Sequence, residues 1–291
     1  MLSSEIATEL RGRTISFTLY PLDFEEYLRF IKAETDYHGT SQRIAILNHF
    51  RTFLLFGGFP ELIDQDEALK IKKLQDYFNT IIYRDLIDRY NISNPAVLKD
   101  FLKRVLSQVT KPLSINRIYN DFRSLGYKVS NNLLYDYSDY IQTSFTSILI
   151  NKFDYSEIKQ ARSEKKAYAI DNGILSSIDY SFSGNYGKLL ENMVALELIK
   201  SGKEITYFRD NVECDFIIKV KKSYSALQVS YSIQDADTKQ REIKGLLNAC
   251  EYLKTKKGTI VTYEEEDNFK INNINIEVLP AFRYFLEVLK N

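Results

Sequence analysis

"NVECDFIIKVKKSYSALQVSYSI", residues 211–233, is the stretch on which the reading of this chain turns. Its runs "CDFIIKV" and "SALQVSY" are short, apolar and separated by a polar turn, the pattern of two adjoining strands. Asp215 stands at the start of the first run, and Gln228 and Ser230 lie in the second. Upstream, "KLLENMVALELIKSG" places Leu189, Leu190, Met193, Leu196 and Ile199 at helical spacing, carries Glu191, and stops at Gly202. "EITYF" supplies a strand between. Downstream come an amphipathic helix in "DADTKQREIKGLLNACEYL", strands in "GTIVTY" and "NINIEVLP", and a closing helix in "AFRYFLEVL". A helix, three strands, a helix and further strand predict an α/β unit over residues 183–291.

Ahead of this unit the pattern is mainly helical. "TISFTLY" alternates Ile15, Phe17 and Leu19 and reads as a strand, after which Pro21 opens a helix through "LDFEEYLRFI". Helical patterns follow over 41–56 and 67–90, broken by the turn "FGGFPE", and again over 94–109. In "SINRIYNDFRSLGYKVSNNLLYDYSDYIQ", Ser114 and Ser130 are good N-caps and Gly126 a good helix stop. Two short helices about a tight turn, then the strand-like "SFTSILI", suggest a winged helix-turn-helix. The chain divides on this reading into residues 1–35, a helical region over 36–110, a winged-helix-like region over 111–182, and the α/β unit.

Composition narrows the classes. Apolar residues make up 44% and charged residues 27%, an ordinary balance for a globular chain. Lys+Arg and Asp+Glu are equal at 39, which does not favour tight nonspecific polyanion binding. Two isolated cysteines, Cys214 and Cys250, suit a reducing compartment, and two histidines argue against a zinc site. No apolar run nears the roughly 20 residues of a membrane span, and the first residues lack a signal peptide's apolar core. The expectation is a cytoplasmic protein with no membrane association.

The order of Glu191 on a helix, Asp215 on the second strand and Gln228 with Ser230 on the third resembles the PD-(D/E)XK, or restriction-endonuclease-like, fold. In that fold a helix acid, a strand Asp and a Glu-x-Lys or Gln-x-Lys converge on Mg²⁺. The resemblance implies Glu191 and Asp215 as hard oxygen ligands, with the metal generating hydroxide and polarising a phosphate. This chain departs from the pattern where the lysine should stand, at Ser230, and Gln228 is neutral. Lys219, Lys221 and Lys222 are the nearby cations, and strand alternation puts Asp215, Ile217 and Lys219 on one face. Three readings stay open: an inactive fold holding Glu191 and Asp215 as a polar pair, a residual metal site, and an active nuclease.

A wider resemblance covers nearly the whole chain. "LRGRTISFTLYPLDFEEYL", "FGGFPELI", "YRDLIDRYNI", "SINRIYNDFRSLGYKVSNNLLYDYSDY", "YAIDNGIL", "LLENMVALEL", "ECDFII" and "TKQREIKGLLNA" run in the order found in bacterial and archaeal AAA+-type ATPases. In that family a restriction-endonuclease-like domain of unknown function follows the ATPase core. The resemblance implies that residues 1–35 are the tail end of such a core, and that Walker A and B segments would precede them. No G-x-x-x-x-G-K-[ST] occurs in this sequence. ATP hydrolysis by this chain alone is therefore not expected, and Arg11 or Arg13 would contact a nucleotide only if the core were supplied in trans.

Nucleic-acid contact has two candidate locations. The presumptive recognition helix "NNLLYDYSDYIQ" carries Asp136 and Asp139 and no Lys or Arg, which disfavours major-groove reading. Its tyrosines and leucines suggest packing on a neighbouring domain. The run "KQARSEKK" offers Lys159, Arg162, Lys165 and Lys166 as phosphate contacts. The resemblance thus implies a non-catalytic or degenerate nuclease-like C-terminal region of an AAA+-type ATPase, binding nucleic acid or a protein partner. It would carry no cofactor itself: Mg²⁺ only with an active nuclease-like centre, ATP only with the ATPase core. The alternatives are a Mg²⁺-dependent DNA endonuclease and an inert truncated product.

Overall fold

The computed structural model describes residues 17–178, 184–221 and 223–289. Helix α1 (Phe24–Phe30) starts at a capping box: the Glu26 N–H donates to Asp23 at 2.7 Å and Glu26 accepts from the Asp23 N–H at 2.9 Å. Helix α2 (Thr40–Phe56) ends at Gly57, whose φ of 72° is the left-handed conformation that glycine takes without strain. Helix α3 (Glu67–Thr80) runs on through a wider π-type segment, Ile81–Asp88. Helix α4 (Pro95–Ser107) begins with proline at its first position and Asn94 as cap.

The next region holds β1 (Pro112–Leu113), α5 (Ile115–Ser124), α6 (Asn131–Thr143), β2 (Ser147–Asn151), α7 (Glu157–Arg162), β3 (Lys165–Ala169) and α8 (Asn172–Ile178). Ser114 and Ser130 accept the N–H groups of Arg117 and Leu133, as their cap positions predict, and Gly126 follows α5 at φ 85°. The three strands form an antiparallel sheet in the order β1-β3-β2.

The last region holds α9 (Tyr186–Lys200), β4 (Ile205–Arg209), β5 (Glu213–Val220), β6 (Ser223–Val229), α10 (Ala236–Leu253), β7 (Lys257–Thr262), β8 (Asp267–Ile271), β9 (Ile274–Pro280) and the short α11 (Ala281–Arg283), followed by a π-type turn over Tyr284–Val288. Its mixed sheet runs β4-β5-β6-β7-β9-β8, parallel at β6–β7 and β7–β9 and antiparallel elsewhere. Leu246, Ala249 and Cys250 of α10 form one core with Ile217, Ala226 and Ile260 of the sheet. Leu190, Met193 and Val194 of α9 share another with Phe216, Ile218 and Leu227.

That second core does not stop at the sheet. It is continuous through Phe24, Phe50, Phe101, Tyr137 and Tyr168 to Phe285, so the regions divided by composition are packed as one body. The two sheets also touch directly, where Lys152 bridges Tyr207 and the Phe153 N–H donates to the Tyr207 carbonyl at 2.6 Å. The chain is a mixed α/β protein. Among the described residues no helix is long and apolar enough to cross a membrane.

Three expectations need correction. Residues 17–20, the described part of the expected N-terminal strand, pair with no strand and leave Phe17 84% and Leu19 94% exposed; residues 14–16 lie outside the described residues. The strand β8 was not expected, because "DNFKI" at the sheet edge is mostly exposed and lacks a clean apolar alternation. Finally, strand alternation fails at Asp215. Between the pairs Thr206↔Ile217 and Phe208↔Cys214, β5 carries one residue more than β4, a bulge. Ile217 therefore packs toward α10, whereas the Asp215 carboxylate is re-aimed at β3, whose Lys166 it meets.

Candidate functional site

The chemistry-bearing side chains converge where β3, α9 and β5 meet. Alternation along β3 turns Lys166 and Tyr168 to one face, and both are fully buried. The Lys166 Nζ lies 2.8 Å from Glu191, 2.8 Å from Glu213 and 3.2 Å from Asp215. The Tyr168 hydroxyl donates to the same Glu191 oxygen at 2.9 Å, and the Val229 N–H donates to the other Asp215 oxygen at 3.0 Å. An ammonium thus stands at the centre of three carboxylates.

This is the main difference from the sequence reading. Lys166, grouped there with surface phosphate contacts, has 0% exposure and no path to a phosphate. The same charged run does place Lys159 and Arg162 on the surface of α7 and Lys165 at a half-buried position on β3. Lys219, considered as a substitute cation, instead pairs with Glu204 at 2.6 Å on the surface. Arg11 and Arg13 lie outside the described residues.

Of the nuclease-like positions, Glu191 and Asp215 meet on Lys166. Gln228 does not join them: its carboxamide accepts the Asp215 N–H at 3.1 Å and donates to Glu242 of α10, which Arg241 holds at 2.6 Å. The Ser230 hydroxyl donates to the Ser232 carbonyl at 2.8 Å. Sequence reasoning missed Lys166 and Tyr168 as partners, and Glu213 as the third acid. One signal was present: in "KKAYA" a lysine two residues before a tyrosine shares the tyrosine's face.

Burial pushes the Glu191 carboxyl up to about 8, with Asp215 adding to the rise and Lys166 opposing it. Burial pulls the Lys166 ammonium down, but Glu191, Tyr168, Asp215 and Glu213 outweigh this and hold it above its ordinary value. The acids thus favour the charged lysine, while burial favours the protonated form of Glu191. At the far end of α9, burial likewise lifts Glu197 to about 8, with Asp23 and Glu26 adding and Lys200 opposing.

Between their ordinary value of 4.5 and about 8, Glu191 and Glu197 hold protons when folded that the unfolded chain has released. This stability is therefore fully present below about 4.5, declines as pH rises across the window and is lost above the folded values. The denaturant midpoint is expected to fall between about pH 5 and about pH 8.5, and Glu197→Gln to flatten that slope. A midpoint that stays level or rises over this range in the unsubstituted chain would contradict the assignment.

The acids do not suit a divalent cation. Mg²⁺ needs several free oxygen ligands around one point, and here that point is filled by the Lys166 ammonium. Among the described residues no group of three His, Cys, Asp or Glu is placed to share a metal ion.

The surface beside α6 is polar and mixed in charge. In α6, Tyr137 is buried and Tyr140 stacks on Tyr90 with centroids 3.8 Å apart, so its apolar side is spent on neighbouring helices. Its exposed positions include Asn132, Tyr135, Asp136 and Asp139, and the Asn131 amide donates to Asn116 at 2.7 Å. A cleft of about 510 Å³ beside it is bordered by Asn116, Tyr135, Asp139, Arg162 and Lys165.

Comparison with known proteins places these elements in two family regions. Residues 47–183 match Domain of unknown function (DUF8612), and residues 186–284 match Domain of unknown function (DUF4143). The chain is 33% identical over 300 residues to an uncharacterized protein of Methanocaldococcus jannaschii, covering 98% of this chain and 66% of that protein. It is 26% identical over 236 residues to an uncharacterized protein of Haemophilus influenzae, covering 81% of this chain and 58% of that one. The chain thus spans 66% and 58% of the lengths of these two curated relatives. Lys166 falls in the first matched region and its three carboxylates in the second, so the cluster joins the two.

Proposed function

We propose that this chain is a non-catalytic coupling and partner-binding region of an AAA+-type ATPase. It joins a winged-helix-like unit to a nuclease-like α/β unit whose former metal position is closed. The observation that carries this reading is the Lys166 ammonium, held within 3.2 Å of Glu191, Glu213 and Asp215. A fixed internal cation neutralises the acids that a nuclease would present to Mg²⁺. It also ties β3 to α9 and β5, so movement of one unit would be passed to the other.

Other features support parts of the reading. Two helices set between β1 and β2 of the antiparallel β1-β3-β2 sheet favour a winged-helix ancestry, and the order α9, β4, β5, β6 and α10 favours a nuclease-like one. Residues 17–20 expose alternating apolar side chains, which suits a strand completed by a preceding core. Lys159, Arg162 and Lys165 are the phosphate-facing candidates if the partner is nucleic acid.

Plasmid incubated with the chain and Mg²⁺ or Mn²⁺ is expected to remain supercoiled. Metal-dependent nicking that Asp215→Ala abolishes would overturn the non-catalytic reading in favour of an endonuclease. Reversing the charge of Lys159, Arg162 and Lys165 is expected to weaken DNA retardation at low salt and flatten its salt dependence. If the unsubstituted chain gives no retardation at low salt, the partner is a protein rather than nucleic acid.

A further inference from the structure

Three stretches of the sequence, "FGGFPE", "YAIDNG" and "LLENMVALEL", also meet one another beside the lysine cluster, through residues it does not use. Their polar residues Asp171, Asn172, Asn192 and Glu197 are all buried, and each is hydrogen-bonded. Buried polar side chains cost stability unless their bonds are made, so an assembly of them specifies one arrangement.

The bonds form a closed path. At the C-terminal end of α9, Glu197 accepts the Phe24 N–H at 3.1 Å and the Lys200 ammonium donates to the Leu22 carbonyl at 2.9 Å. The Leu22 N–H donates to the Gly58 carbonyl at 2.8 Å, and the Gly58 N–H donates to Asp171 at 2.8 Å. Gly57 is required here: a Cβ on it would lie 2.0 Å from an Asp171 oxygen. The next residue, Asn172, donates to the carbonyls of Leu54 and Leu189 and accepts from the Asn192 amide at 2.8 Å. Asn192 also pairs with the Ala169 backbone in both directions, at 2.8 and 3.2 Å, as a strand would. The adjacent Glu191 binds Lys166 and Tyr168.

We infer that α9 is a clasp, gripping β3 at its middle and the lead-in at its C-terminal end, that couples the position of the lead-in residues 22–24 to the seating of β3. The inference deepens the coupling role proposed above and rests on it. A displacement of residues 22–24 pulls on Glu197 and Lys200 through one route and on Gly58, Asp171 and Asn172 through the other. Both routes end on Asn192 and therefore on β3. The part of α9 that joins Asn192 to Glu197 and Lys200 is regular helix, a stiff element, so a pull at Lys200 is not absorbed by bending. By linkage, loosening β3 must in turn loosen residues 22–24.

Amide hydrogen exchange on the full chain tests this, with Lys200→Met removing the donor to Leu22 while keeping the aliphatic stem. The Phe24 amide is expected to exchange about tenfold faster, and the Ala169 amide, which reports the Asn192 bond, to accelerate with it. Lys200→Arg, which restores a donor, is expected to recover both. Acceleration confined to residues 22–28 with Ala169 unchanged would overturn the clasp. An equal rise at every core amide, including Ile276 and Val278 in the distant sheet, would also overturn it, as it reports general destabilisation. Plasmid nicking tests the non-catalytic reading separately, so either idea can fail without the other.

Discussion

Lys166→Ala is expected to lower the unfolding free energy by about 3–5 kcal/mol, the usual cost of removing one partner from a buried ion pair. The loss arises because Glu191, Glu213 and Asp215 are left facing one another without their shared cation. Lys165→Ala, one residue away and half-buried, is expected to stay within about 0.5 kcal/mol, as for other substitutions outside a buried network. Denaturant titrations of the two variants provide the comparison. Equal small effects would mean that Lys166 is not the centre of the cluster, and the coupling role would lose its main support. A second readout separates burial from charge. Lys166→Met keeps the volume and removes the ammonium, so it is expected to behave like Lys166→Ala rather than like the unsubstituted chain.

Asn192→Leu is expected to cost about 3 kcal/mol or more, because each buried polar group left without a partner costs roughly 1–3 kcal/mol. The leucine fits the volume but leaves the Ala169 N–H, the Ala169 carbonyl and the Asn172 carboxamide oxygen without the bonds Asn192 makes. All of these lie in the buried core, away from bulk solvent. Thermal unfolding would show the loss as a drop of roughly 6–12 °C, by the scaling for chains of about 150–250 residues. A loss below about 1 kcal/mol would show that Asn192 is dispensable to the seating of β3 and would remove the joint from the clasp.

The elements themselves were largely legible. Ser114, Ser130 and Gly126 marked helix ends by local chemistry, and the apolar spacing in "KLLENMVALELIKSG" marked α9. Such signals act over a few residues, since a cap bonds its own first turn and an amphipathic stripe repeats every turn. The convergence of Glu191 and Asp215 was also anticipated, from the resemblance rather than from spacing.

The rest was not legible for a definite reason. Lys166 reaches acids 25 and 49 positions away, and nothing in "KQARSEKK" distinguishes a lysine bound for the interior from one bound for water. Gln228 looked like a companion of Asp215, yet it bonds Glu242, because α10 packs over that part of β6. Asp215 itself was turned by a bulge that depends on pairing with β4, which no local pattern reports.

The sequence by itself determined where the helices and most strands lie and that the chain is mixed α/β. The tertiary structure alone decided what those acids face. In "CDFII" and "LQVS" the missing lysine at Ser230 reads as a lost charge. In the folded chain a positive charge stands among the acids, supplied by Lys166 from another sheet, because only packing brings distant strands to one point.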